Sequence, residues 1–277
     1  MPPDGFSEKI AFNSELDAAL DYSMGEMLLP HTCQIFEQDQ NLKMKPYGSG
    51  VMAILGGNRY LLTASHVADA VASGKTLYIR KRKGYMMIGG SFKVTNKRLL
   101  PEIDLAYIRL APEMTPYLNG GYDFLPLSSF RKHSRLLDAA QYCVVGYPTD
   151  STREVDGQLE SVAQCYQLQA AKAKVYEYYG YDPRIHFVLE YKGKGTDIRT
   201  GAAKKIRIQP YGLSGCGLWL TLPNYENGSW IIDFKLIGIM TEFRKGKYLC
   251  LVGNKIDFLV NLIKEFEGLD FDTKEVN

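Results

Sequence analysis

A serine flanked by glycines stands in the run Gly212-Leu213-Ser214-Gly215-Cys216-Gly217, directly before the apolar stretch Leu218-Trp219-Leu220. Glycines on both sides let the backbone turn tightly, expose the hydroxyl and aim amide N–H groups at one oxygen, the arrangement that stabilises a developing oxyanion. A serine hydroxyl is a weak nucleophile until a base takes its proton. The chain offers four histidines for that role, His31, His66, His133 and His186. His66 is the best placed, because Tyr60-Leu61-Leu62-Thr63 reads as an apolar strand that ends just before Ala64-Ser65-His66-Val67, where a helical turn begins. An imidazole base in turn needs a carboxylate that fixes its tautomer and stabilises its cation. Asp104 answers that need: it interrupts the apolar stretch Ile103-Asp104-Leu105-Ala106-Tyr107-Ile108, where a carboxylate without a partner is costly.

Chain order removes competing chemistries. An α/β-hydrolase places its histidine after the serine, and none follows Ser214. A G-x-S-x-G elbow fails because Cys216 takes the last glycine's place. A papain-like enzyme would need Cys33 or Cys143 in a local sequence that neither has. His31 and Cys33 begin a metal-like spacing, but no nearby pair completes it, so neither a metal nor another cofactor is expected.

The elements that must position these residues read as predominantly β. Strands are expected at Val51 to Leu55, Tyr60 to Thr63, Thr76 to Arg80, Phe92 to Val94, Leu105 to Leu110 and Gln141 to Gly146. Further strands are expected at His186 to Glu190, Lys205 to Ile208, Gly217 to Thr221, Lys235 to Thr241 and Tyr248 to Val252. Asn13 caps a helix-forming run that starts at Ser14, expected to pack outside the first half of the chain. A second helix, Lys255 to Phe266, carries Ile256, Leu259, Val260 and Ile263 on one apolar face. The tyrosines at 176, 178, 179 and 181 read as strand packing.

Taken together, Thr-Ala-Ser-His at 63–66, Asp-Leu-Ala-Tyr-Ile at 104–108 and Gly-Leu-Ser-Gly-Cys at 212–216 resemble the three signatures of the trypsin-like serine proteases. The resemblance spans about Gly48 to Ile263, including Gly48-Ser49-Gly50-Val51. Val144-Val145-Gly146-Tyr147-Pro148 is similar to a strand end of the bacterial branch that contains the glutamyl endopeptidases. It implies a chymotrypsin-like fold, all-β dominated, with two packed antiparallel six-stranded β-barrels, an N-terminal helical extension and a C-terminal helix. The corresponding boundaries are residues 1–30 for the extension, 31–125 for a first barrel with His66 and Asp104, and 126–140 for a linker. Residues 141–254 make a second barrel with Ser214, and 255–277 the closing helix and tail.

The resemblance implies peptide hydrolysis through an acyl-enzyme on Ser214, with His66 as base and Asp104 as its orienting partner, and an oxyanion hole from the N–H groups of Gly212 and Ser214. Carried over by position, the substrate pocket takes Ile208, Tyr211, Met240, Thr241, Glu242 and Phe243, with Thr241 behind Asp104. Ile208 at the pocket base, where an aspartate would select Lys or Arg, favours an apolar residue before the scissile bond. Departures from the pattern matter too. Val67 and Leu213 replace a cysteine and an aspartate of the secreted enzymes, so zymogen activation by an aspartate–amino-terminus ion pair is not available, and Cys216 is read as packing. A catalytically silent, partner-binding relative is the alternative.

At 277 residues and 45% hydrophobic, the chain is long and apolar enough for two cores. Its formal net charge of +2 gives no general drive toward nucleic acid or anionic membranes. Arg80-Lys81-Arg82-Lys83, and the cluster of Lys192, Lys194, Arg199, Lys204, Lys205 and Arg207, read as solvated loops. Gly193 to Ala203 is expected to be a mobile loop near the cleft. The expected partners are a protein or peptide substrate and a regulatory protein, without nucleic acid or membrane. Five irregularly spaced cysteines and no secretory pattern point to a cytoplasmic protein, and the resemblance to a bacterial one.

Overall fold

The computed structural model describes residues 14–81, 84–95, 100–138, 140–156, 158–191, 194–196, 203–205 and 209–269. Strands dominate. The first eight are β1 (Thr32–Gln38), β2 (Met44–Leu55), β3 (Asn58–Thr63), β4 (Leu77–Arg80), β5 (Tyr85–Met87), β6 (Gly90–Val94), β7 (Ala106–Leu110) and β8 (Leu125–Pro126). They form one sheet in the order β5-β4-β1-β2-β3-β7-β6, with β8 parallel to β2.

The later strands are β9 (Tyr142–Gly146), β10 (Thr152–Val155), β11 (Gln158–Ser161), β12 (Gln164–Ala170) and β13 (His186–Glu190). They continue with β14 (Lys194–Thr196), β15 (Ala203–Lys205), β16 (Gly217–Glu226), β17 (Ser229–Arg244) and β18 (Cys250–Lys255). Six of them run β13-β18-β17-β16-β9-β12, and the pairs Gln169↔Glu190 and Ala170↔Leu189 join β12 back to β13, closing a ring. β16 and β17 are joined by a two-residue turn at Asn227-Gly228, with φ of 51° and 81°, the left-handed pair that matches strand twist. Two closed barrels were the expectation. The second half closes into a six-stranded ring sheet, whereas among the described residues the first sheet stays open, with β5 and β6 at its edges.

Five α-helices flank the sheets among the described residues: α1 (Ser14–Met27), α2 (Ser65–Ala72), α3 (Thr115–Leu118), α4 (Ala173–Tyr179) and α5 (Ile256–Glu267). The largest core lies between the sheets. Val51, Tyr60, Leu62 and Tyr107 from the first face Cys143, Val145, Trp219 and Ile239 from the second. α5 buries Ile256, Leu259, Val260 and Ile263 in that core.

Three expectations need correction. α1 packs on the ring and not outside the first sheet: Leu16, Leu20, Met24 and Leu28, spaced four apart, form a fully buried stripe in the core that holds Trp219, Ile232 and Phe234. Its polar side reaches the same ring, where the Gln167 amide donates to Asp21 at 3.1 Å. The tyrosine run is helical: α4 ends at Gly180, whose φ of 73° caps it, and Val175, Tyr176 and Tyr179 face the ring. The segment expected to be a loop from Gly193 to Ala203 falls partly outside the described residues, but its described ends, β14 and β15, pair as a hairpin.

Candidate active site

β3 and β7 place the first two candidate residues side by side, because Thr63 at the end of β3 pairs with Ala106 at the start of β7. His66 is the second residue of α2, and Asp104 lies two residues ahead of β7. The local backbone locks them: the Ser65 N–H donates to the Asp104 carbonyl at 3.2 Å, and the His66 N–H to Asp104 Oδ1 at 2.9 Å. The side chains then meet, with His66 Nδ1 2.5 Å from Asp104 Oδ2. A hydrogen on Nδ1 directed at the carboxylate leaves Nε2 as the basic nitrogen of the neutral ring.

Asp104 is held from behind by the ring. Its N–H donates to Asn254 Oδ1 at 2.8 Å, and Asn254 Nδ2 donates to the Glu102 carbonyl at 3.1 Å. Asn254 is buried in β18. His186, at the start of β13, places Nε2 3.1 Å from the same Glu102 carbonyl and Nδ1 3.2 Å from the Asp182 carbonyl. Sequence reasoning assigned neither residue. The available signal was a polar residue closing the apolar run Cys250-Leu251-Val252-Gly253.

The Ser214 turn is shaped by glycines that nothing else can replace. Gly212 has φ +89°, and a Cβ there would lie 2.9 Å from both Thr149 N and Tyr147 O; Gly215 has φ +93°, and a Cβ would collide with Ser49 O and Thr63 Oγ1. Ser49, from β2 of the first sheet, grips this turn: its N–H donates to the Ser214 carbonyl and its Oγ to the Gly212 carbonyl, both at 2.8 Å. The turn's own amides are partly committed, Leu213 N–H to Pro210 O, Gly215 N–H to Met240 O and Cys216 N–H to Leu213 O. Among the described residues the N–H groups of Gly212 and Ser214 donate to no protein acceptor. The Ser214 hydroxyl donates to the Thr241 carbonyl at 3.3 Å, and among the described residues no hydrogen bond joins it to His66.

Two cavities meet over Thr241 and Glu242. One, of about 190 Å³, is lined by Ser214, Gly212, Tyr211, Met240, Phe243 and Leu251. The other, of about 500 Å³, takes in His66, Asp104, Glu102, Tyr179, Tyr181 and His186. Of the expected pocket residues, Tyr211, Met240, Thr241, Glu242 and Phe243 therefore line one cavity with Ser214, and Ile208 lies outside the described residues. The Thr241 hydroxyl turns to the Val252 carbonyl, 3.3 Å away. Glu242 is already engaged: Oε2 accepts from the Tyr181 hydroxyl at 2.6 Å and Oε1 lies 2.9 Å from Arg244 Nη2.

The remaining singled-out residues fall into the framework. Cys216 is fully buried and burial pushes its thiol up, so it packs. All five cysteines are buried free thiols. His31 Nδ1 meets the Asp123 carbonyl at 2.9 Å, and Cys33 lies in the core of β1. Arg80 stacks against Phe36 and Tyr85, and Lys81 against Tyr117, while Arg82, Lys83, Lys192, Arg199 and Arg207 lie outside the described residues. Among the described residues no helix is long and apolar enough to cross a membrane.

No known family profile matches the chain, and no curated protein sequence is similar to it.

Proposed function

We propose that the chain is a serine endopeptidase of the trypsin-like, two-barrel class. The observation that carries the proposal is the 2.5 Å His66–Asp104 contact, on a cavity that shares Thr241 and Glu242 with the cavity of a glycine-flanked serine. In the proposed reaction His66 Nε2 takes the Ser214 proton as Oγ attacks the scissile carbonyl, and Asp104 stabilises the imidazolium that results. The N–H groups of Gly212 and Ser214, which have no acceptor among the described residues, receive the oxyanion, each contributing about 3 kcal/mol. The imidazolium then protonates the leaving amine, and water, deprotonated by the same histidine, releases the acyl group. No cofactor enters these steps. A protein or peptide is the substrate, and a reducing, cytoplasmic compartment suits five buried free thiols.

One observation favours a second reading, a silent module that binds a partner through the same cleft: the Ser214 hydroxyl is turned to the Thr241 carbonyl. In the proposed enzyme a rotation about the serine Cα–Cβ bond, driven by substrate, transfers that hydroxyl to His66. Labelling by a fluorophosphonate probe separates the two. The enzyme labels at Ser214 and the label is lost in Ser214→Ala and in His66→Ala; absence of labelling in the intact chain rejects the proposal.

A further inference from the structure

Beside the Ser214 cavity, the end of β17 and its connection to β18 carry Arg244, Lys245 and Lys247 within four residues, and α4 adds Lys174 next to them. Arg244 is spent on Glu242. The three lysines are exposed, and among the described residues none has a carboxylate partner. Each is seated on aromatic rings instead, and Lys245 Nζ also donates to Gln209 Oε1. Lys245 Nζ lies 4.7 Å from the centre of the Tyr211 ring and 5.9 Å from that of Phe243, two walls of the serine cavity. Lys247 Nζ is 5.6 Å from Tyr178 and 5.5 Å from Tyr248, and Lys174 Nζ is 5.5 Å from Tyr248. The cluster is continuous with the His66 cavity as well, since Tyr178 packs at 4.9 Å on Tyr179, which lines it.

Cation–π seating costs an ammonium little of its solvent-side hydrogen-bonding capacity, but it restricts where a long flexible side chain points. Three cations thus line the rim that joins both cavities, while Arg244 and Glu242 neutralise each other. We propose that this band is a docking rim for acidic polypeptide, so that the substrates are chains with Asp or Glu residues flanking an apolar cleavage position. The proposal rests on the peptidase reading for the cleavage step, not for the docking step. An acidic peptide fits better than nucleic acid, because lysines cover the tyrosine faces that bases would need for stacking, and the serine cavity the rim leads into is apolar, with Met240, Phe243 and Leu251.

The test uses the full chain and paired peptides with one apolar cleavage position, flanked on either side by four Glu or by four Gln. The acidic member is expected to be cleaved with about tenfold higher kcat/KM at low salt, the ratio falling toward one with added salt. In the triple variant Lys174→Gln, Lys245→Gln, Lys247→Gln the ratio falls to one, and the corresponding Lys→Arg variant keeps it. Equal cleavage of both peptides by the unmodified chain overturns the rim. Fluorescence anisotropy with labelled peptides and the Ser214→Ala chain reads docking without cleavage. A preference for the Glu peptide there, with no cleavage by the intact chain, leaves the rim standing and removes the peptidase reading. Tighter binding of a labelled single-stranded oligonucleotide than of the Glu peptide overturns the choice of polypeptide.

Discussion

A single oxygen distinguishes the proposed peptidase from an inert cleft. Ser214→Ala removes the Oγ from a partly exposed turn and leaves little cavity, so peptide hydrolysis should fall by about 10⁴-fold or more while the unfolding midpoint stays put. More than a tenth of the activity surviving would exclude Ser214 as nucleophile. His66→Ala and Asp104→Asn should lose activity comparably, and combining either with Ser214→Ala should add little, because the three act as a unit; multiplying losses would contradict that. At the neighbouring Glu242 the charge is already shared between Arg244 and the Tyr181 hydroxyl. Glu242→Gln should therefore leave the cleavage profile of a peptide library dominated by apolar residues before the scissile bond, and a selective loss of cleavage after Lys or Arg would show Glu242 to be a specificity charge. Ser214 and Asp104 were legible in the sequence because each breaks a local rule: a serine among glycines, a carboxylate in an apolar run. Asn254 and Ser49 were not assigned, since hydrogen bonds to backbone from a distant strand leave no mark on spacing.

Among the elements, β18 does more than complete the ring. Asn254 bonds two backbone groups of the Glu102–Asp104 segment, the Asp104 N–H and the Glu102 carbonyl that His186 also approaches. Asn254→Ala should cost about 1–3 kcal/mol in chemical denaturation, and in the proposed peptidase it should lower kcat more than it changes KM, because the backbone that carries Asp104 loses its tether. A loss of stability with kcat untouched would make Asn254 purely structural. Most strands that bear the site were readable from apolar runs bounded by turn residues. β1 was hidden because Thr32-Cys33-Gln34-Ile35-Phe36 buries both of its faces and lacks alternation. α4 was misread because Val and Tyr favour strands; only Gly180, directly after the run, signalled a helix end.

For the molecule as a whole, the position of α1 was out of reach of sequence, because a stripe at every fourth residue says that a helix packs, not on what. Its stripe closes the core between the two sheets. Leu20→Ala should cost about 2–5 kcal/mol, read as a lower midpoint with an unchanged slope in urea, whereas a helix lying on the surface would lose far less. His133 is a second global determinant. It is buried between Tyr142 and Phe187, and burial, reinforced by Lys255 and Arg131, pulls it from 6.5 to about 4. Its unfolded form binds a proton that the folded form refuses, so its contribution to stability is present above pH 6.5 and is lost as pH falls toward 4. His133→Gln should flatten the stability of the chain between those values relative to the parent, and an unchanged slope would show that His133 titrates normally.

The grip of Asn254 on Asp104 crosses 150 residues of chain. Ribosomes add about 5 to 20 residues each second, so a growing chain carries His66 and Asp104 for roughly 8 to 30 s before their anchor is made. Ser214 emerges inside that interval, yet the strand that seals the ring around it, and the asparagine that anchors the Asp104 backbone, are still to come. For the proposed peptidase the order of synthesis acts as a timer: the anchor of Asp104 comes last, so competence is expected only once the last strand has closed.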